Sequence, residues 1–233
     1  MSHYLSQIAF QPRRRDDYKL ASQLRIAPYL QHQKLWEMFQ RPAGSEQPFL
    51  FRHFDAHDLP RFLMLSDDRP QAPDDRWLVQ SKQFQPALHE GQLFSFNARL
   101  NPTRSVRQAD AKRGKRQDLV MAALHEMPGR DRALERQRLV NQELPLWLVK
   151  RGEGAGFEIV ENEGRLLCGV NRYEVLRFGA SADSGAHKIT LGCADFVGQL
   201  RVTDPQTFAR TLFNGLGHGR SFGLGLMLIK RAH

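Results

Sequence analysis

The chain is poor in cysteine, in long apolar stretches and in acids relative to bases. Two of its 233 residues are cysteine, Cys168 and Cys193. They are too far apart for a CxxC hook, which argues against a disulfide scaffold and fits a reducing, cytoplasmic setting. No apolar run approaches the roughly 18 residues that suggest a membrane helix, and the first residues lack a secretion-signal pattern, so neither a membrane nor a secreted protein is expected. Asp and Glu number 25 against 34 Lys and Arg, giving a formal net charge of +9. That excess favours a polyanionic partner. A hydrophobic share of 41% argues against a disordered basic tail. No strand carries the aromatic string of an RNP1 element.

What the chain does have is concentrated near its end, in GLGHGRSFGLGLMLIKR, Gly215 to Arg231. Gly215, Gly217, Gly219, Gly223 and Gly225 fall within eleven residues. The stretch before them reads as a helix capped by Asp204, with Pro205 in its first turn and Gly215 as its stop. Leu224, Leu226, Met227, Leu228 and Ile229 then read as a short buried strand. A dinucleotide fingerprint needs strand, glycines, helix, and its third glycine position here is Phe222. A P-loop fails too, with Asn214 at its first glycine and Arg220 at its lysine. A ribbon nearly free of side chains remains, carrying Arg220 and Ser221. It can lie along a phosphate backbone or pack against a neighbouring domain.

Further forward, PYLQHQKLWEMFQ reads as a helix that Pro28 begins, with Leu35, Trp36 and Phe39 as its apolar stripe. Tyr29 and His32 share one face within its first two turns, where the helix dipole favours a phosphate. The plainer reading makes them packing residues beside the stripe. QPRRRDDYKLASQLRIA, before this helix, reads as a polar basic loop. Gln47 to Asp58 reads as a strand ending in His53, Asp55, His57 and Asp58; that spacing does not suit a di-metal hydrolase, and a polar strand end accounts for it better. Phe62–Ser66 and Arg76–Lys82 supply further strands. Gly91 to Pro102 reads as the strand closing the first half, which gives that half a ferredoxin-like order of elements.

The most basic stretch follows. From Arg99 to Gln117, the bases Arg99, Arg104, Arg107, Lys112, Arg113, Lys115 and Arg116 face a single acid, Asp110, for a net of +6 within 19 residues. Without apolar periodicity it reads as a loop or linker where a polyanion could lie, the alternative being a solvated linker. Asp118 caps a helix, and one or two more helices follow, with Leu146, Trp147 and Val149 expected to face a core. Strands then run to residue 203, with turns at Asn162–Gly164 and Ser181–Gly185 and exposed bases at Arg172, Arg177 and Lys188.

GLGHGRSFGLGLM resembles the C-terminal glycine-rich motif of the CRISPR repeat-RNA endoribonucleases, nearest to the CasE type, the processing subunit of type I-E Cascade. PYLQHQKLW matches that family's Y-x-x-H at the start of the first helix, and FNARLNP is similar to one of its strands. The resemblance implies an α+β fold of two tandem ferredoxin-like (RRM-like) βαββαβ domains, here placed at 1–102 and 118–233 around a basic linker at 103–117. It implies metal-independent cleavage of a CRISPR repeat hairpin on the 3′ side of its stem, through attack of the 2′-OH and a 2′,3′-cyclic phosphate, with no cofactor. His32 would be the general acid or base, Tyr29 would orient the ribose or phosphate, and Lys34 or Arg25 would stabilise charge on phosphorus. Some members carry a lysine five residues after the histidine; Glu37 stands there in this chain. Arg99, Arg104, Arg107, Lys112, Arg113, Lys115, Arg116, Lys188, Gly217, Gly219, Arg220 and Ser221 form the expected RNA surface. Expected partners are the repeat RNA and other Cascade subunits, with no membrane. The alternative is a non-catalytic RNA-binding scaffold of tandem RRM-like sheets.

Overall fold

In the segment His3–Phe10, Ser6, Ile8 and Phe10 are buried at every second position, and it forms β1. The computed structural model describes residues 3–42, 44–56, 58–106, 115–125, 127, 131–179 and 188–232. After β1 come α1 (Arg15–Ile26), α2 (Pro28–Trp36), β2 (Phe49–Ala56), β3 (Leu59–Ser66) and β4 (Trp77–Phe84). The four strands pair antiparallel in the order β2-β3-β1-β4. That is the strand order of a ferredoxin-like sheet, but its second crossover helix is absent, because residues 67–76 run as bends and turns. The core beneath the sheet includes Ile8, Phe10, Leu24, Leu35, Phe51 and Phe62.

Helix α1 corrects the loop expected there. Its apolar stripe is narrow, Leu20, Ala21 and Leu24, and the surrounding charge hides it in the sequence. Asp17 organises its start: the carboxylate accepts from the backbone N–H of Arg13 at 2.9 Å and of Arg14 at 2.8 Å. Those two bonds hold its pKa below the usual carboxylate range.

The second sheet begins with β5 (Leu93–Leu100). A short ribbon of β6 (Thr103–Val106) and β7 (Lys115–Asp118) follows, then α3 (Leu119–His125), α4 (Arg132–Arg138), a π-helical turn at Leu139–Glu143 and α5 (Leu144–Glu153). Next are β8 (Phe157–Ile159), the small hairpin of β9 (Glu161–Asn162) and β10 (Arg165–Leu166), and the long β11 (Cys168–Gly179) and β12 (Lys188–Val202). Helix α6 (Pro205–Asn214), a 3-10 turn at Arg220–Phe222 and β13 (Met227–Arg231) complete it. The order is β11-β12-β5-β13, with β8 added on β12. Taking β5 as first strand, this is a full βαββαβ unit. As expected, Asp204 caps α6, its Oδ1 accepting from the N–H of Gln206 and Thr207, and Gly215 ends the helix with φ 77°.

Three expectations are corrected here. The strand at 91–102 belongs to the second sheet, not the first: β5 pairs with β12 on one side and β13 on the other. Its buried residues Phe94, Phe96, Ala98 and Leu100 enter the second core, so the boundary moves from residue 102 to the segment before β5. The linker at 103–117 is, in its described parts, an antiparallel ribbon with Arg104 opposite Gln117 and Ser105 opposite Arg116. Leu146 is 48% exposed, while its neighbours Trp147 and Leu148 take the core positions. The expected turn at Ser181–Gly185 lies outside the described residues.

The two halves meet along a seam. Its apolar part joins Leu50 and Leu65 of the first sheet to Leu226 before β13. Its ionic part runs from Arg52 on β2 to Asn97 on β5, then through Asp195 to Arg99 and Glu174, with the Arg99–Asp195 contact at 2.8 Å. Leu226 is 1% exposed, and truncating a buried leucine costs about 2–5 kcal/mol. Leu226→Ala should therefore lower the urea unfolding free energy within that range; a loss below about 1 kcal/mol would mean that this cluster does not hold the halves together.

Candidate active site

Pro28 starts α2 without a backbone N–H to leave unpaired, and the next turns place Tyr29 and His32 on one face. Both line a cavity of about 340 Å³ together with Gln33, Trp36, Ser45, Gln47 and Ser221. Six of these seven residues come from α2 or the segment before β2. Ser221 comes from the glycine-rich ribbon of the second half. None of the seven is an acid, a lysine or an arginine.

His32 Nε2 lies 3.2 Å from Oε1 of Gln47. The same oxygen accepts from Ser221 Oγ at 2.8 Å, and the Gln47 amide nitrogen donates to the Phe49 carbonyl at 2.6 Å. The imidazole sits beside Trp36 and Phe49, with ring centroids 6.1 and 5.8 Å away. Burial lowers the His32 pKa from its ordinary 6.5, against the opposing hydrogen bond from Gln47. The imidazole is thus mostly neutral at pH 7 and able to take up a proton.

The ribbon reaches this site through left-handed backbone. Gly219 at φ 81° and Gly223 at φ 78° flank the 3-10 turn that presents Ser221. A Cβ on Gly219 would also lie 2.9 Å from Leu224. Hydrogen bonds anchor the loop: Gly225 N–H donates to the Arg99 carbonyl and Leu216 N–H to the Gly225 carbonyl, each at 2.9 Å.

A second cavity, of about 610 Å³, adjoins the first and shares Gln47 and Ser221 with it. Gly217, His218, Gly219, Arg220, Asn214, Arg41 and Glu46 are among its lining. His218 is held below its ordinary pKa by burial and then by the charges of Arg116, Arg151 and Arg220. Arg116 on β7 and Arg151 on α5 therefore stand near the ribbon, and Arg151 Nη2 donates to the Thr103 carbonyl at the base of β6. A charged cavity thus borders an uncharged one.

The expected residues divide as follows. Tyr29, His32, Gly217, Gly219, Arg220 and Ser221 gather around the two cavities, and Arg116 stands near them. Arg104 is exposed on β6. Lys34 is engaged by Glu37 at 2.8 Å and does not line the His32 cavity. Arg25 pairs with Asp58 at 3.3 Å and lines a different cavity, between the sheets. Arg99 is taken up by Asp195 and Glu174, which places it in the seam, away from the His32 cavity. Arg107, Lys112, Arg113 and His57 lie outside the described residues, as do the side chains of Asp55, Lys115 and Lys188. Gln47, Arg41 and Arg151 were not singled out in the sequence. No motif marks them; only the fold carries them to the glycine-rich ribbon.

A family model described as CRISPR associated protein matches residues 3–231. A curated relative, the CRISPR-associated endoribonuclease Cse3 of Thermus thermophilus, is 28% identical over 150 residues, which are 64% of this chain and 60% of that protein. The alignment thus spans less than two thirds of the relative's length. The structure of Thermus thermophilus Cse3 bound to an RNA representing a pre-cleavage complex superposes with a TM-score of 0.70 at 24% identity, covering 99% of this chain and 100% of the other. A chain of a CRISPR RNA-guided surveillance complex gives a TM-score of 0.60 at 18% identity, covering 98% and 100%. These likenesses show that the fold is shared.

His3, His32 and His218 all have pKa values lowered below 6.5, with burial as the main cause. The unfolded chain takes up these protons near pH 6.5, whereas the folded chain does so only at lower pH. Between the two values the unfolded state holds more protons, so stability rises with pH in that window. Unfolding free energy should be full above about pH 6.5 and fall as acid carries the protein down through the folded pKa values. His32→Gln should make that fall shallower. Urea unfolding from pH 7 to pH 5 measures both slopes, and equal slopes would remove His32 from the set.

Proposed function

The chain belongs to the CRISPR associated protein family, and from that premise we propose that it is a metal-independent endoribonuclease that cleaves CRISPR repeat hairpins on the 3′ side of the stem. The observation that carries this reading is the meeting of two separate motifs in one cavity: Tyr29 and His32 from α2, and Ser221 from the glycine-rich ribbon. Packing alone would not require a half-buried, mostly neutral histidine to open onto that ribbon. The Cse3 relative, named as an endoribonuclease, supports the activity.

The chemistry needs one proton taken and one given. The 2′-oxygen beside the scissile phosphate loses its proton and bonds to phosphorus, while the bond to the 5′-oxygen breaks and that oxygen is protonated. The products are a 2′,3′-cyclic phosphate and a 5′-OH. His32 serves as the general base or the general acid in this exchange, because an imidazole can accept a proton at one ring nitrogen and donate one when protonated. The Tyr29 hydroxyl orients the ribose or the phosphate. With Lys34 bound to Glu37, positive potential at the phosphate comes from the adjoining cavity, where Arg220 lines the wall and Arg116 and Arg151 stand near. These groups and Arg104 on the β6–β7 ribbon form a strip that takes the stem's phosphates, since A-form RNA is recognised mainly by shape and backbone. The product guide RNA passes to other subunits of a Cascade-type assembly in the cytoplasm.

Glu37 favours a second reading, a non-catalytic RNA-binding scaffold, because it occupies the position where some members carry a lysine and it ties up Lys34. Cleavage of a repeat hairpin in the presence of a chelator separates the two. The ribonuclease should cut, and a 2′-deoxy nucleotide before the cut should abolish cleavage while sparing binding. His32→Ala should slow single-turnover cleavage by about 10²–10⁴ with little change in hairpin affinity. A wild-type rate from a folded His32→Ala protein would remove the histidine from the mechanism.

The basic strip is tested separately. Replacing Arg104 and Arg116 with glutamate should weaken hairpin binding and flatten its dependence on salt, because fewer counterions are released. An unchanged slope of log affinity against log salt would return the β6–β7 ribbon to an ordinary solvated hairpin.

A further inference from the structure

We propose that Gln47 and Ser221 are positioning residues that hold neutral His32 as its Nε2–H tautomer, leaving Nδ1 as the nitrogen that exchanges protons with the RNA. The inference deepens the ribonuclease reading and rests on it for the role of His32. The chain of reasoning starts at Phe49. Its backbone carbonyl can only accept, and it lies 2.6 Å from the Gln47 amide nitrogen. Flipping the amide would set two oxygens at that separation with no proton between them, so the orientation is determined. Oε1 therefore faces His32 at 3.2 Å and Ser221 at 2.8 Å. A carbonyl oxygen can only accept, so both neighbours must donate. A neutral imidazole carries one N–H, and here it is on Nε2.

Ser221 adds a condition that no residue of the first half can meet. Its hydroxyl reaches Gln47 from the turn at Arg220–Phe222, so the oxygen that orients the histidine is itself held by the second half. The titratable and charged groups around the two cavities include Tyr29 and Lys34 on α2, Glu37 just after it, Arg41 and Glu46 before β2, and His218 and Arg220 on the ribbon. Lys34 and Glu37 pair with each other, and Glu46 and Arg220 line the adjoining cavity. Gln47 is thus the polar group directly bonded to the imidazole.

Nitrogen-detected NMR of His32 in the RNA-free protein should show Nε2 protonated in the neutral form. Gln47→Glu puts a carboxylate where the amide oxygen stands and favours the imidazolium. Its His32 titration midpoint should rise by about one pH unit or more, and the corresponding limb of the cleavage pH profile should rise with it. Ser221→Ala should slow single-turnover cleavage at saturating RNA several-fold, and Ser221→Thr should recover most of the loss. A purely structural role would lower the melting temperature without moving the titration midpoint. An Nδ1–H tautomer in the wild type, or an unmoved midpoint in folded Gln47→Glu, overturns the proposal. The wild-type tautomer decides the matter even if the variant does not fold. Because the titration is read without RNA, it is settled separately from whether the wild type cleaves.

Discussion

The pairing of β13 with β5 is the interaction on which the rest depends. Met227 lies opposite Ala98 and Ile229 opposite Phe96. This register brings Gly225 to the Arg99 carbonyl and lays the preceding ribbon on the first sheet. There, glycine at 215 leaves room for Leu50, and glycine at 223 leaves room for Phe51. A one-residue slip would turn Met227 out of the core and carry Ser221 away from Gln47. The apolar cluster of Leu50, Leu65 and Leu226 and the ionic chain from Arg52 to Glu174 keep the same register from the other side of the seam.

Charge is sorted between the two cavities in a way that suits proton transfer. A guanidinium inside the His32 cavity would depress that imidazole further and make it a poor proton carrier near neutrality. The arginines are instead set around His218, where a lowered pKa does no harm to the chemistry proposed. An anion spanning both cavities would meet positive potential on one side and a neutral acid–base group on the other. Gln47 and Ser221 form the partition. They are polar enough to bond to either occupant and carry no charge of their own.

Much of this was legible in the residues. Alternation in β1 and β5, the Asp204 cap, the Gly215 stop and the opening of α2 at Pro28 are local signals, and each element formed where its signal lay. Tyr29 and His32 share a cavity because one helical turn separates them. What was missed is what tertiary placement decides. Alternating residues say that β5 has a buried face but not which core receives it, so Gly91–Pro102 was given to the wrong sheet. Helix α1 was obscured because its stripe of Leu20, Ala21 and Leu24 is narrow beside Arg13, Arg14 and Arg15. Arg99 looked like part of a basic run, yet a charge run in sequence holds residues that face opposite ways once a strand forms, and Arg99 faces Asp195. Gln47 had no signal at all: an isolated glutamine gains its meaning from Phe49 beside it and from Ser221 across the seam.

The hydrogen bond between Gln47 and Ser221 joins residues 174 positions apart, and that separation acts as a clock. Chains emerge from the ribosome in sequence order at about 5–20 residues per second. The first sheet, complete by Phe84, can pack its own core while the second is still being made. For many seconds α2 then displays Tyr29 and His32 on a half-built surface. The wall that orients the histidine is still missing. Only after residue 221 has cleared the exit tunnel, and β13 has paired with β5, can the site close. A site divided across such a distance stays unassembled on the nascent chain until the last strand is made.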